Sequence, residues 1–328
     1  MNYFQKYLVE EFTEDYQEGH LSRREALKLI AGVTGNALLA SSILAGCAPP
    51  AQSVSTATPP PASTSTPGMP SPEPATATDE PAVQPAPAET EAPTQEGAAI
   101  ESSDVQLPGD DADLLAYLAR PAGEGSYPVV LVCHENRGLT EHIQDVTRRL
   151  ASAGYVALAV DLLSRHGGTS TLNPNDVPGL LGNTPPEQFV KDFLSGWRYL
   201  QDQPFAQADR VGMVGFCFGG GVTWLVATRM PELRAAVPFY GPHPPVDDVQ
   251  NIQAAVLAIY AESDQRINQG IPAIEEAMQD HGKIYEKVIY PDTEHAFHND
   301  TGPRYNPEAA RDAWSKTLQW FERYLKES

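Results

Sequence analysis

The sequence has little positive charge for its length. Its 328 residues include 22 Lys and Arg against 43 Asp and Glu, which gives a net charge of −21. Nucleic-acid binding needs clustered cations that neutralise phosphates, so this composition argues against a nucleic-acid partner. The sequence also lacks an internal repeat of 20 to 50 residues, which argues against a solenoid. The acidic balance mainly indicates a soluble surface.

Residues 48–100 contain no Lys, no Arg and no aromatic residue, but hold 13 of the 30 prolines. Such a stretch cannot bury a hydrophobic core, so it predicts a disordered Pro/Thr/Ala-rich linker. The roughly 228 residues that follow, 101–328, have the size of one α/β domain.

The N-terminal segment resembles an export signal. Arg23 and Arg24 lie in a Ser-Arg-Arg-Glu-Ala-Leu-Lys stretch that is similar to the twin-arginine motif, with Ala26 where an aromatic residue is usual. The apolar run that follows, residues 29–44, is interrupted by glycine, threonine and asparagine. It is too short and too polar to predict a membrane-spanning helix.

Residues 44–47 read Leu-Ala-Gly-Cys and resemble a bacterial lipoprotein cleavage box in which Cys47 is lipidated. We therefore interpret residues 1–47 as a twin-arginine lipoprotein signal. The expected product is an exported lipoprotein, anchored on the extracytoplasmic face at the cell surface or in the periplasm. The alternative is an amphipathic N-terminal helix that stays on a cytoplasmic protein.

From about residue 103 onward, short β-rich runs alternate with helical patterns, as in a mostly parallel sheet with helices on both faces. The predicted buried strands are 129–133, 155–160, 211–216, 235–240 and 255–260. The predicted helices are 141–153, 186–200, 219–230, 271–281 and 307–325. Two half-buried strands, 114–119 and 283–290, are expected toward the sheet edges.

A candidate nucleophile stands where the strand 211–216 meets a helix. Residues 215–219 read Gly-Phe-Cys-Phe-Gly, the strand-turn-helix pattern of a nucleophile elbow, with Cys217 in the place usually held by serine. The flanking glycines allow a tight turn, and the start of the helix favours thiolate. The alternative is a small buried cysteine in a glycine-rich turn.

Two further candidates follow later strands. Asp264 comes after the strand 255–260, and His295 after the strand 283–290. The order nucleophile, acid, base is that of an α/β-hydrolase triad, in which His295 would take the thiol proton and Asp264 would fix the imidazole. His298 is a rival base, and each residue alone could be an ordinary loop or surface residue.

The strand 129–133 is followed by His-Glu-Asn-Arg-Gly. In this fold that strand end supplies one backbone N–H of an oxyanion hole, so we assign the two donors to Asn136 and Phe218. No second histidine follows His134 at helical spacing, so we expect neither a metal nor another cofactor.

These residues resemble the dienelactone hydrolase family over nearly all of residues 103–328. The resemblance is carried by the cysteine elbow, by Glu135 and the Asn-Arg-Gly after it, by Asp-Leu-Leu-Ser-Arg at 161–165, and by Glu-His-Ala-Phe at 294–297. It implies an α/β-hydrolase fold and hydrolysis of a lactone, carboxymethylenebutenolide, through Cys, Asp and His. It also implies that Glu135 contacts the resting thiol of Cys217, unless it instead pairs with Arg137 or Arg165.

The sequence departs from dienelactone-cleaving members at the substrate carboxylate. Those members place one arginine shortly after the catalytic histidine and another near a tyrosine in the segment after the fourth strand. Residues 298–300 here read His-Asn-Asp, and residues 167–187 contain neither Arg nor Tyr. Arg304, Arg165 or Arg137 are the candidates to replace them.

The sequence therefore predicts a hydrolase of carboxylic esters or lactones that works through a thioester acyl-enzyme on a small-molecule substrate. A thioesterase on the same scaffold and a surface-tethered binding lipoprotein without catalysis are the alternatives. A disulfide between Cys133 and Cys217 would favour the binding protein. Residues 167–188, rich in Gly, Pro and Asn, are expected to form part of a lid or pocket wall.

Overall fold

The computed structural model describes residues 1–46 and 99–327. These residues belong to one compact unit. The predicted lipidation site, Cys47, and residues 48–98 of the predicted linker lie outside the described residues.

An eight-stranded sheet forms the centre of this unit, in the order β1-β2-β4-β3-β5-β6-β7-β8. Strand β2 is antiparallel to both of its neighbours, and the pairs from β4 to β8 are parallel. The strands are β1 Ile100–Pro108, β2 Asp113–Pro121, β3 Tyr127–Cys133, β4 Val156–Val160, β5 Ala206–Phe216, β6 Leu233–Phe239, β7 Ala255–Ala261 and β8 Tyr285–Tyr290.

Helices flank the sheet, which gives the expected α/β-hydrolase architecture. Three precede it in the chain, α1 Tyr3–Gln17, α2 Arg23–Thr34 and α3 Ala37–Ala45. The others are α4 Glu141–Ser152, α5 Val177–Asn183, α6 Pro186–Gln201, α7 Phe218–Ala227, α8 Gln265–Asn268, α9 Ile271–Asp280 and α10 Pro307–Phe321.

The five predicted buried strands are confirmed as β3 to β7, and the five predicted helices as α4, α6, α7, α9 and α10. Strand β2 was expected near an edge but is covered by β1. Strand β1 was not predicted because Ile100–Pro108 is mostly polar and mostly exposed, and so has no apolar run to reveal it.

Residues 1–46, interpreted from the sequence as an export signal, form helices that pack into the core. Phe4, Leu8 and Phe12 are fully or almost fully buried. The ring of Phe4 lies 4.8 Å from that of Phe218 and 5.4 Å from that of Phe189, measured between centroids. Helix α1 is thus part of the same hydrophobic core as the sheet.

The twin-arginine stretch has a clear local structure. Ser22 is the N-cap of α2, and Ser22 and Glu25 form a reciprocal capping box around the two arginines. Arg23 and Arg24 are exposed on the first turn.

None of the helices in residues 1–46 and 99–327 is long and apolar enough to cross a membrane. Export and lipidation remain predictions.

Candidate active site

The predicted elbow is present at Cys217. Strand β5 ends at Phe216 and α7 begins at Phe218, with Cys217 between them at φ +58° and ψ −120°. A non-glycine residue at positive φ is strained, and such strain persists only where the surrounding structure enforces it. The Cys217 N–H donates to the Phe239 carbonyl at 3.1 Å, which fixes the turn against β6.

The glycines of the elbow are required by close backbone contacts. A Cβ at Gly215 would lie 2.1 Å from the carbonyl oxygen of Gly219, and a Cβ at Gly219 would lie 2.5 Å from that of His134. Neither oxygen belongs to a flexible side chain. The motif therefore uses glycine to bring α7 directly against the ends of β3 and β5.

We expect Gly215→Ala to destabilise the protein by at least about 3 kcal/mol, because overpacking against backbone cannot relax by rotating a side chain. This corresponds to a fall in Tm of roughly 6–12 °C for a domain of this size, measured by circular dichroism. Gly32→Ala is the control, since a Cβ there would lie 3.8 Å from its nearest neighbour. It should leave Tm unchanged or raise it slightly. An equal loss from both changes would contradict the steric argument.

His295 and Asp264 form the expected pair. Nδ1 of His295 lies 2.6 Å from Oδ2 of Asp264, and both residues are buried. The carboxylate can only accept, so Nδ1 carries a proton, and in the neutral imidazole Nε2 then presents a lone pair. Nε2 has no hydrogen-bond partner among the described residues, and a ring nitrogen of His295 lies within 4.8 Å of the Cys217 sulfur. Because Nδ1 is engaged, we assign that nitrogen to Nε2.

The carboxylate of Asp264 and a protonated His295 stabilise each other's charged form. Burial opposes a charged imidazole, but Asp264 and Cys217 outweigh burial and raise the pKa of His295 well above its usual value. Burial likewise opposes ionisation of Asp264, yet the facing His295 keeps the pKa of that carboxyl below its usual value. The imidazole is therefore equipped to accept a proton and to hold it.

The thiol of Cys217 makes two contacts that the sequence analysis did not predict. Its Sγ lies 3.3 Å from Oη of Tyr7 and 3.5 Å from Oε1 of Glu11, both on α1. Burial and the Glu11 carboxylate raise the pKa of the Cys217 thiol, while His295 opposes them. In this arrangement the resting sulfur is a thiol.

Glu135 lies on the same cavity but is bonded elsewhere. Its Oε2 accepts from Nδ2 of Asn299 at 2.7 Å, and neither Arg137 nor Arg165 pairs with it in the described chain. Burial is the main cause that raises the pKa of Glu135. Within residues 1–46 and 99–327, the carboxylate that contacts the resting thiol is that of Glu11. The contact expected of Glu135 is made by a different residue.

The two expected oxyanion donors flank the nucleophile. Phe218 is the first residue of α7, a position whose N–H has no acceptor in a preceding helical turn. Asn136 follows the end of β3 and lines the same cavity as Cys217. Its side chain donates to Oε1 of Glu11 at 2.9 Å, which ties the β3 loop to α1.

His298, the rival base, is packed among aromatic rings. Its ring stacks on Phe216 with centroids 5.0 Å apart, and it does not line the cavity beside Cys217. Burial and the neighbouring charges of His142 and Arg149 lower the pKa of His298 to about 3, so it is neutral. His295 is thus the histidine that faces the thiol.

Cys133 and Cys217 are both free thiols, so the disulfide considered from the sequence is not formed. Cys133 ends β3 and is fully buried. The disulfide that would have favoured the non-catalytic alternative is therefore not formed.

The three arginines that could bind a substrate carboxylate differ in whether their guanidinium groups are already paired. Arg304 pairs with Asp15 at 3.1 Å, and Arg165 is held by two aspartates, Asp111 and Asp192. Arg137 lines the cavity, is exposed, and has no ion-pair partner among residues 1–46 and 99–327. Of the three, only Arg137 presents an unpaired guanidinium to the cavity in this part of the chain.

A cavity of about 150 Å³ opens beside the sulfur, smaller than the ~300–1,000 Å³ of ordinary ligand pockets. It therefore suits a small acyl group. Its polar lining includes Glu11, Glu135, Asn136, Cys217, His295 and Arg304.

Residues 167–188 were expected to form part of a lid or pocket wall, but they do not line this cavity. Their α5 packs against α1 and α2, and α1 forms the wall.

One group at this site could hold a metal ion. A ligand atom from each of Glu11, Cys217 and His295 lies within 4.8 Å of the other two, a donor set that suits Zn²⁺. Such an ion would engage the sulfur and the imidazole lone pair that proton transfer requires. The expected absence of a metal remains a prediction.

Glu11 and Tyr7 are the site residues that sequence reasoning missed. Phe4, Leu8 and Phe12 recur every four residues, which is a helical signal in residues 1–17. That signal predicts α1, but nothing in the pattern places Glu11 against a cysteine 206 positions later.

The chain is similar to a known family of hydrolases. Residues 114–325 match the model of the dienelactone hydrolase family. Proteins named "Putative carboxymethylenebutenolidase" are 38% identical over 236 residues in Methylorubrum extorquens and 34% identical over 247 residues in Escherichia coli. The alignments cover 68% and 69% of this chain and 81% and 88% of those proteins.

A solved structure from Klebsiella pneumoniae, named "Putative Dienelactone Hydrolase", superposes with a TM-score of 0.65 at 32% identity and covers 69% of this chain and all of that one. An Anabaena variabilis dienelactone hydrolase, at 20% identity and a TM-score of 0.56, shares the fold. The chain belongs to the dienelactone hydrolase family, whose members are hydrolases that act on ester and lactone bonds.

Proposed function

We propose that the chain hydrolyses small carboxylic esters or lactones through a triad of Cys217, His295 and Asp264. The observation that carries the proposal is the 2.6 Å bond from His295 Nδ1 to Asp264, which leaves Nε2 free toward the sulfur at a strained elbow. Acyl transfer needs this combination of a nucleophile, a base and a group that orients the base.

In the proposed reaction, the proton of Cys217 passes to Nε2 of His295 and the sulfur attacks the carbonyl carbon. The N–H groups of Asn136 and Phe218 stabilise the oxyanion. His295 then returns the proton to the leaving alkoxide, and a thioester acyl-enzyme remains. Water, deprotonated by His295, hydrolyses that thioester and restores the thiol. A lactone follows the same steps, except that its alcohol stays attached to the acyl group.

The cavity favours an uncharged acyl group. Glu11 and Glu135 both face it, and Arg304 is already paired with Asp15. A carboxylate on the substrate would meet these acids with only Arg137 unpaired among the described lining residues. We therefore propose neutral esters or lactones as the preferred substrates of the chain that retains residues 1–46.

The test is hydrolysis of p-nitrophenyl acetate and of a small lactone by the full-length, reduced chain, before and after labelling with iodoacetamide. We expect turnover that falls in proportion to the labelling of Cys217, mapped by mass spectrometry. Faster turnover of thioesters than of oxygen esters would favour the thioesterase. No turnover of any of these by folded, reduced protein would favour a binding lipoprotein.

We also propose that the protein is exported and anchored through a lipid on Cys47. The support is the order of a twin-arginine stretch at Arg23 and Arg24, an apolar run and a cleavage box. Mass spectrometry of the protein from membranes of its native cells should find lipidated Cys47 at the N-terminus. An intact Met1 on protein in the soluble fraction would contradict the proposal.

A further inference from the structure

A carboxylate from outside the matched family domain contacts the candidate nucleophile. Glu11 lies far upstream of residues 114–325, yet its Oε1 is 3.5 Å from the sulfur of Cys217. A carboxylate only accepts, so the thiol is the donor. Glu11 is buried, with only 6% of its surface exposed. Its Oε2 has no hydrogen-bond partner in the described part of the chain.

The helix holds Glu11 in this position from both sides. Tyr7 and Asp15 lie one turn before and one turn after it, on the same face of α1. Tyr7 contacts the sulfur of Cys217 at 3.3 Å, and Asp15 pairs with Arg304 at 3.1 Å. The contact between Glu11 and the thiol is therefore fixed by the packing of α1 and is not the chance position of a mobile surface side chain.

The charge of Glu11 has a direct chemical consequence for the sulfur. Burial raises the pKa of the Cys217 thiol, and the adjacent carboxylate raises it further, against the opposing effect of His295. A thiol is far less reactive than a thiolate toward peroxides and alkylating agents. A fixed carboxylate beside the sulfur thus suppresses side reactions of the nucleophile.

We propose that Glu11 is a positioning residue that holds Cys217 as a protonated thiol for as long as residues 1–46 remain attached, and so protects the nucleophile from oxidation in the uncleaved chain. This rests on the proposed function, since it takes Cys217 to be the nucleophile. When a substrate carbonyl binds, the thiol proton passes to His295. Cleavage before Cys47, as proposed above, would end this role by removing Glu11 from the mature protein.

The test compares Glu11→Gln with Glu10→Gln in a full-length chain that carries Cys47→Ser. The serine removes the predicted cleavage site and the thiol at that position. Glu10 is exposed on the same helix, so its substitution makes the same change in charge away from the sulfur. The rate of iodoacetamide labelling of Cys217 is measured against pH by mass spectrometry, a readout that requires no turnover.

We expect Glu11→Gln to label about tenfold faster at neutral pH, with its midpoint about one pH unit lower, because one pKa unit is a tenfold change in thiolate. Inactivation by hydrogen peroxide should quicken in the same proportion. Glu10→Gln should stay within about twofold of the parent chain. Glu11→Asp, which keeps the charge, should label close to the parent rate.

Glutamine has the shape of glutamate and keeps the oxygen that Asn136 bonds, so the variant should fold, as circular dichroism can show. An unchanged or slower rate in folded Glu11→Gln would overturn the proposal. So would equal rates for Glu11→Asp and Glu11→Gln, because a structural role would affect both alike. Ester hydrolysis by the parent chain is measured separately, so failure of the proposed function is distinguishable from failure of this inference.

Discussion

Replacing Cys217 by alanine should lower kcat/KM for p-nitrophenyl acetate by a factor on the order of 10⁴ to 10⁶. The sulfur is the atom that the proposed mechanism joins to the acyl group, so no thioester can form without it. The oxyanion donors and the cavity remain, and they account for any residual rate. Steady-state kinetics with the full-length chain measures the loss, and mass spectrometry should find no acylated protein during turnover.

The fold should survive this change. The alanine Cβ occupies the position of the cysteine Cβ, and the strained turn is enforced by the glycines and by the hydrogen bond from residue 217 N–H to Phe239. Loss of the thiol removes one hydrogen-bond donor from Glu11, whose Oε1 still accepts from Asn136, and removes little apolar volume. We therefore expect Tm to change by less than about 4 °C.

Cys133→Ala is the matched control. Cys133 is fully buried at the end of β3, and its thiol contacts only the carbonyl of His134, at 3.8 Å, among the hydrogen bonds of the described residues. The substitution removes one sulfur from the core at a cost of about 1 kcal/mol and should leave kcat/KM within about twofold. Equal loss of activity from both substitutions would contradict the assignment of Cys217 as the nucleophile.

The part of the site that the sequence predicts lies at the ends of parallel strands. Cys217 and Asp264 each follow a strand with a clear apolar run, and His295 follows the half-buried strand β8. The carboxyl ends of parallel strands meet at one edge of the sheet. The spatial relation of these residues therefore follows from the order of strands and loops. The structure brings Asp264 and His295 within hydrogen-bond distance for this reason.

The part that the sequence could not predict depends on long-range packing. Glu11 lies on a helix, where an acidic residue is normally solvated, and only the docking of α1 on the elbow buries it. The rings of Phe4, Phe189 and Phe218 make that docking possible. No local pattern encodes a contact between residues 206 positions apart, so a motif search of the hydrolase domain alone leaves this carboxylate out.

Asp264→Asn should lower kcat by a factor on the order of 10⁴, nearly as severely as loss of the nucleophile. Oδ1 of Asp264 caps α8 by accepting from the Ile267 N–H at 3.3 Å, while Oδ2 faces His295. Asparagine keeps its oxygen on the cap, which turns its NH₂ toward Nδ1. Nδ1 must then accept, so the ring proton moves to Nε2 and the imidazole can no longer take the thiol proton.

The same substitution should slow the labelling of Cys217 by iodoacetamide, because the imidazolium that stabilises the thiolate loses its carboxylate partner. Asp292→Asn is the control, since Asp292 is exposed at φ +52°, a conformation that asparagine tolerates. It makes the same chemical change in the same pair of loops and should leave kcat within about twofold. A folded Asp264→Asn protein that retains more than a tenth of the parent kcat would show that Asp264 does not set the tautomer of His295, and another residue would have to orient the base.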